Sequence, residues 1–232
     1  MNLHADMNHK AVVHAAQLDW LASPIAGVER RMLHRLGDEV AQATSIVRYA
    51  PGSQFSAHTH SGGEEFLVLE GVFQDEHGDY PAGSYIRNPP LSRHIPGSKA
   101  GCTIFVKLWQ FDPRDRSHVI VHTEQLARVT DAQRLGVRVS PLFMDTHEDV
   151  RLEEWAPHTL IELALPKGGE FLVLQGDFSE GGERFATQSW LRLPPGSHLS
   201  GQTGAQGAKV WVKLHHLRDM PTPPGESPKE KP

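Results

Sequence analysis

The sequence is short of cysteine, of long apolar runs and of clustered positive charge. Cys102 is the single cysteine in 232 residues, so no intrachain disulfide and no cysteine-rich zinc site can form. No stretch approaches the roughly 18–20 apolar residues that a membrane span needs. The N-terminus, MNLHADMNHK, lacks the apolar core of a secretion signal. These absences favour a cytoplasmic protein with no membrane partner. The net charge is −5 with acids and bases interspersed, which gives no basic groove for direct contact with nucleic acid.

What the chain does have is an internal repeat and many histidines, 15 in all. GGEEFLVLEGVF at 62–73 is matched by KGGEFLVLQGDF at 167–178, SYIRNPP at 84–90 by SWLRLPP at 189–195, and VKL at 106–108 by VKL at 212–214. The first two offsets are 105 residues and the third is 106. Agreement at three ordered places indicates two copies of one fold. A copy of about 100 residues is long enough to bury its own core.

Each copy reads as β. The run Phe66-Leu67-Val68-Leu69 ends at Gly71, as a buried strand does. Further strands are expected at 45–49, 83–87 and 103–111, with Pro- and Gly-rich turns between them. Many short strands with regular turns predict a sandwich or small barrel. Helical periodicity is weak except around 123–134, a segment expected to carry the linker. The chain thus divides into 1–120, 121–218 and a Pro-rich, charged tail at 219–232, expected to be disordered.

The chemistry gathers in the first copy. His58 and His60 are two apart, so on a strand they share a face. Glu64 follows Ser61-Gly62-Gly63, a turn able to return a carboxylate to the same centre. Imidazoles plus a carboxylate suit Zn2+, Fe2+, Ni2+ or Mn2+. His94, after Pro89-Pro90, is the candidate for a fourth ligand. In the second copy Leu163, Leu165 and Gly169 stand at the positions of His58, His60 and Glu64, with His198 within one residue of the His94 position. That copy is therefore expected to hold no metal. His158 reads as an ordinary loop residue, and His215 and His216 as solvated residues at a strand end. Cys102 reads as a small buried hydrophobe rather than a redox thiol.

The spacing Gly52, His58, His60, Glu64 and Gly71 fits the first cupin motif, G-x5-H-x-H-x3/4-E-x6-G. The second motif is met at Pro81-Ala82-Gly83, but Ile86 occupies its histidine position. RYAPGS at 48–53, the stretch 58–90 and GCTIFVKL at 101–108 resemble the cupin domain of the ChrR-type zinc anti-sigma factors. The resemblance implies an all-β bicupin, with two double-stranded β-helix (jelly-roll) barrels in tandem. It implies zinc held by His58, His60, Glu64 and His94. It also implies a regulatory role in the response to oxidants, through a regulatory protein partner or a small-molecule ligand. A homodimer is also plausible. The chain departs from the family in having too few residues before the first barrel for a sigma-binding domain. It also lacks the family's H-x3-C-x2-C motif. The competing reading is a mononuclear non-haem dioxygenase cleaving a diketone or hydroxyketone. A third is an isomerase using zinc as Lewis acid. Tyr85 and Arg87, sharing a strand face, are pocket candidates, as are Arg93 and Lys107; an outward-facing charge is the competing reading for Lys107.

Overall fold

The computed structural model describes residues 1–38, 40–218 and 220–221. The disorder expected for 219–232 falls, Met220 and Pro221 apart, outside the described residues. The architecture is all-β, in two compact units. The only helical turns among the described residues are short 3-10 segments, Ala15–Gln17 and Thr123–Gln125. The second lies where helical periodicity was expected, and the strand Val129–Thr130 follows it. The weak period there reflects one turn of chain and not an amphipathic helix.

Among the described residues, unit 1 contains 1–5, 19–122 and 220–221. Its main sheet is antiparallel and runs Val119–His122, Ser84–Asn88, Glu64–Asp75, Cys102–Leu108, Gln42–Tyr49, Val28–Leu36, Leu21–Ala22. A separate two-stranded ribbon pairs His58–His60 with Ser92–His94. The inward face of the main sheet carries Phe66, Val68, Ile86, Ile104 and Val106, which pack with Phe73, Tyr80 and Cys102 into one apolar core. Each such side chain, fully buried, contributes on the order of 1.5–3 kcal/mol.

Unit 2 contains residues 6–18 and 123–218 and repeats the same strand order. Its sheet runs Ala11–His14, Ser189–Leu193, Gly169–Glu180, Ser197–Leu214, Asp149–Trp155, Val137–Met144, Val129–Thr130. The core is built from Trp155, Phe171, Phe178, Phe185, Leu191 and Val212 among others. Glu153 is fully buried. Its carboxylate accepts hydrogen bonds from both terminal nitrogens of Arg134 and from Arg151 at 2.8 Å, and from the Trp155 indole at 2.6 Å.

The first strand of unit 2 comes from the start of the chain. Ala11 pairs with Arg192 and His14 with Ser189. At the equivalent place in unit 1, Val119 pairs with Arg87 and His122 with Ser84. AVVHAAQL at 11–18 and VIVHTEQL at 119–126 are similar in sequence, 108 residues apart. Each repeat thus begins with a strand and 3-10 turn whose strand completes the other repeat's sheet. A division at residue 120 puts 6–18 in the wrong unit, because local pattern shows that a strand exists and not which edge it joins. Val13 is nearly buried in unit 2. Val13→Asp should therefore destabilise unit 2 by about 2–4 kcal/mol. Amide exchange at Ser189–Leu193 should accelerate; unchanged protection there would refute the assignment of this strand.

Candidate metal centre

In the ribbon, His94 stands across from His58, and Ser92 across from His60. Residues i and i+2 of a strand share a face, so His58, His60 and His94 meet on one side. One ligand atom from each lies within 4.8 Å of the other two. The rings are mutually edge-on, with centroids 4.7, 5.2 and 4.8 Å apart. Glu64 opens the next strand. Its Oε2 lies 3.3 Å from His60 Nε2 and 3.7 Å from His94 Nε2. Glu65, one residue on, faces the other side and accepts a hydrogen bond from Tyr85 Oη at 2.7 Å.

The donor set fits a metal ion. Nε2 of His60 and Nε2 of His94 are 2.9 Å apart. Ligand atoms bound at about 2.0–2.1 Å to one tetrahedral ion stand roughly 3.3 Å from each other. His58 Nδ1 can donate to the Ser56 carbonyl at 3.2 Å, and His94 Nδ1 to Asp75 Oδ2 at 3.4 Å. Each bond commits Nδ1 to the proton and leaves Nε2 with a lone pair, the tautomer a metal ligand needs. Burial lowers the His60 pKa against the opposing pull of Glu64. Burial would lower that of His94 too, but the Asp75 hydrogen bond and the charges of Glu64 and Asp75 outweigh it and raise it. His60, Glu64 and His94 are buried, while His58 is exposed and leaves one side of the centre open to solvent.

The turn between the histidines and Glu64 has no room for side chains. A Cβ at Gly62 would come 2.1 Å from the Trp109 ring, and one at Gly63 2.5 Å from Phe111. Gly63 also has φ +78, a conformation that disfavours other residues. Trp109 N–H donates to the Gly63 carbonyl at 3.1 Å, pinning the turn. Gly62→Ala should cost about 1–3 kcal/mol through overpacking. In a thermal melt, Trp109→Ala should remove most of that penalty; equal penalties in both backgrounds would refute the contact.

Tyr85, Arg87 and Lys107 do not line the centre. Lys107 and Arg87 flank Glu65 on neighbouring strands, so all three project from the face opposite Glu64. There they are buried. Lys107 Nζ donates to Thr44 Oγ1 at 2.9 Å, Arg87 pairs with Asp115, and the Arg87 guanidinium lies 4.0 Å from the Phe111 ring centroid. Lys107 is therefore neither a pocket charge nor a solvated edge charge. Unit 2 repeats the row as Lys213, Glu170 and Arg192, with Glu170 bonded to Trp190 and His216. His216 is thus a buried partner of Glu170 and not a solvated strand end. Arg93 is exposed, opposite Thr59 in the ribbon. A cavity of about 410 Å³ is bounded by Gln54, Gln74, Asp75, Glu76, Asp79 and Lys99 among others, but by none of the four cluster residues.

Strand register fixes what replaces the cluster in unit 2. Leu163 pairs with Leu199 as His58 pairs with His94. The counterpart of His94 is therefore the fully buried Leu199. His198 is exposed and sits 3.2 Å from Glu162. At Gly169 a Cβ would come 2.9 Å from Leu214 and 3.1 Å from Leu165. All four positions are apolar or side-chain-free, and core carbon fills the space.

Residues 8–112 match the ChrR cupin-like domain family. The match spans fewer than half of the 232 residues, and the fold is similar to that of solved cupins, among them a cupin 2 conserved barrel domain protein from Leptotrichia buccalis. Among solved structures, a candidate dioxygenase from Nostoc punctiforme superposes on this chain with a TM-score of 0.75 at 17% identity, covering 96% of this chain and 88% of that one. YlbA from Escherichia coli gives 0.70 at 14% identity, covering 94% and 95%. The E. coli pirin YhhW, solved in complex with nickel(II), gives 0.63 at 14% identity, covering 89% and 98%. At these identities the likeness is one of fold. No curated protein sequence matches the chain. No helix among the described residues is long and apolar enough to cross a membrane.

Proposed function

We propose that unit 1 holds one divalent transition-metal ion through His58, His60, His94 and Glu64, and that the cupin serves as a metal-dependent regulatory module. The convergence of three imidazoles within 4.8 Å carries this reading. Zinc is the metal favoured by the likeness of residues 8–112 to the ChrR cupin-like domain. The donor set itself accepts iron, nickel and manganese as well. A bound ion would supply Lewis acidity and an open coordination position. The residues do the rest. Asp75 holds the His94 proton on Nδ1, Ser56 does so for His58, and Glu64 adds a negative charge that offsets that of the cation. Elemental analysis of metal-replete protein should give about one equivalent per chain. His60→Ala and His94→Ala should lose it, and Leu163→Ala should keep it. Full metal retention in both histidine variants would sink the assignment.

We place the response to oxidants at the metal or its ligands and not at the thiol. Cys102 is buried, and burial pushes its pKa up to about 11, which suppresses the reactive thiolate. Cys102→Ser should leave oxidant-induced metal release unchanged, as followed by a chromogenic chelator. Loss of the response in this variant would contradict the reading.

The exposure of His58 favours a second reading. An open side admits a chelating diketone or hydroxyketone together with O2, the requirement of a mononuclear dioxygenase. The fold likeness to the Nostoc protein is compatible with this. Oxygen-electrode traces of the iron-loaded protein with 1,3-diketones separate the two. Sustained uptake selects the oxygenase, and tight zinc without turnover selects the regulatory module.

A further inference from the structure

Asn88 places its amide beside the metal cluster, and neither motif nor spacing marks it. It pairs with Glu64 across neighbouring strands and is buried. A buried amide without partners costs several kcal/mol by transfer scales, so its partners account for its presence. Nδ2 donates to Glu64 Oε2 at 3.2 Å, the same oxygen that stands nearest the histidine nitrogens. Oδ1 faces Nε2 of His118 at 3.1 Å. An ionised carboxylate only accepts and an amide oxygen only accepts. The amide orientation is therefore fixed by Glu64, and His118 must carry its proton on Nε2. His118 itself is exposed and immediately precedes the strand Val119–His122, whose Val119 pairs with Arg87. Continuing that register sets His118 opposite Asn88.

The second unit supplies an internal control. Its residue at the Asn88 position, paired with Gly169 as Asn88 is with Glu64, is Leu193. The residue at the His118 position, one before the strand Ala11–His14, is Lys10, which pairs with Glu180. The barrel that lacks the carboxylate also lacks the amide and the imidazole that would orient it. A purely architectural amide would be needed equally in both barrels, since their strand orders are the same.

We propose that Asn88, held by His118, is a positioning residue for the metal ligand Glu64. One lone pair of Oε2 accepts the amide N–H, the other is presented to the ion, and the exposed His118 prevents the amide from rotating away. This rests on the metal-centre reading given above. Hydrogen-bond partners of metal ligands typically change affinity 10–100-fold when removed.

The test is Co2+ titration of the full-length protein, following ligand-field absorbance and competition with a chelator. His60→Ala serves as the reference for a lost site. Asn88→Leu, which copies the unit 2 residue, should weaken Co2+ about 10–100-fold and alter the ligand-field spectrum. His118→Ala should weaken it by a smaller factor, and His118→Gln, which keeps an N–H donor, should restore much of the loss. In a Glu64→Gln background, Asn88→Leu should add little. The proposal is overturned if Asn88→Leu and His118→Ala both bind Co2+ within about twofold of the parent. It is equally overturned if Asn88→Leu costs as much with Glu64→Gln as without it, since the loss would then come from general damage to the barrel. If the parent protein binds no Co2+ at all, the metal-centre reading fails and this inference falls with it.

Discussion

The alternation of side chains along Glu64–Asp75 is the constraint on which unit 1 depends. Glu64 turns inward, toward two histidines. Glu65 turns outward, into a row with Lys107 and Arg87. One strand thus carries the carboxylate of the His cluster on one face and the centre of a buried row of charged residues on the other. A slip of one residue would exchange them. One direction of slip would put Gly63 in place of Glu64 and remove the anion from the His cluster, and the other would put Phe66 between Lys107 and Arg87 in place of their carboxylate. The outward row therefore helps to hold the register that the inward site requires. Its recurrence in unit 2 as Lys213, Glu170 and Arg192, where the four ligand positions are no longer polar ligands, fits a role in architecture and not in chemistry.

The two units show how one barrel plan accommodates two interiors. In unit 1, polar groups gather where the ribbon His58–His60 with Ser92–His94 meets Glu64 and Asn88, and apolar side chains fill the space around Phe66 and Phe73. In unit 2 the corresponding region is closed by Leu163, Leu165, Leu193 and Leu199. The strand Ser197–Leu214 runs there without interruption. In unit 1 the matching stretch is broken into Ser92–His94, Gly97–Ser98 and Cys102–Leu108. One additional residue within the unit 2 strand accounts for the change of repeat offset from 105 to 106, because Leu199 matches His94 while Ala208 matches Cys102. At the 105-residue offset His94 falls on Leu199 itself, so His198 looked like its counterpart through residue type alone.

The all-β class, the repeat and the four clustered residues were legible because they rest on short-range pattern. His58, His60 and Glu64 lie within seven residues, and their grouping needs only the two-residue period of a strand and a glycine turn. Other features needed contacts that sequence does not display. The polar residues Tyr85, Arg87 and Lys107 looked like pocket groups because charge in an apolar strand is unusual. Only the strand register reveals that they share the opposite face with Glu65, where Tyr85 donates to Glu65 and Arg87 pairs with Asp115. The burial of His216 has the same origin in Glu170. Asp75, Asn88 and His118 carried no motif; comparing their repeat counterparts, Glu180, Leu193 and Lys10, would have flagged Asn88 as the one polar residue replaced by an apolar one.

The sequence by itself determined an all-β chain with an internal sequence repeat and a group of His and Glu residues in its first half. Hydrophobic periodicity, turn residues and donor identity are local properties, and they survive without knowledge of what lies across the sheet. Tertiary structure alone decided which strand completes which barrel, which face each buried charge occupies, and which amide and imidazole stand behind the carboxylate. Those outcomes depend on partners far apart in the chain, such as Ala11 with Arg192 or His118 with Asn88. Their energies come from burial and hydrogen-bond satisfaction, which exist only once the strands have met.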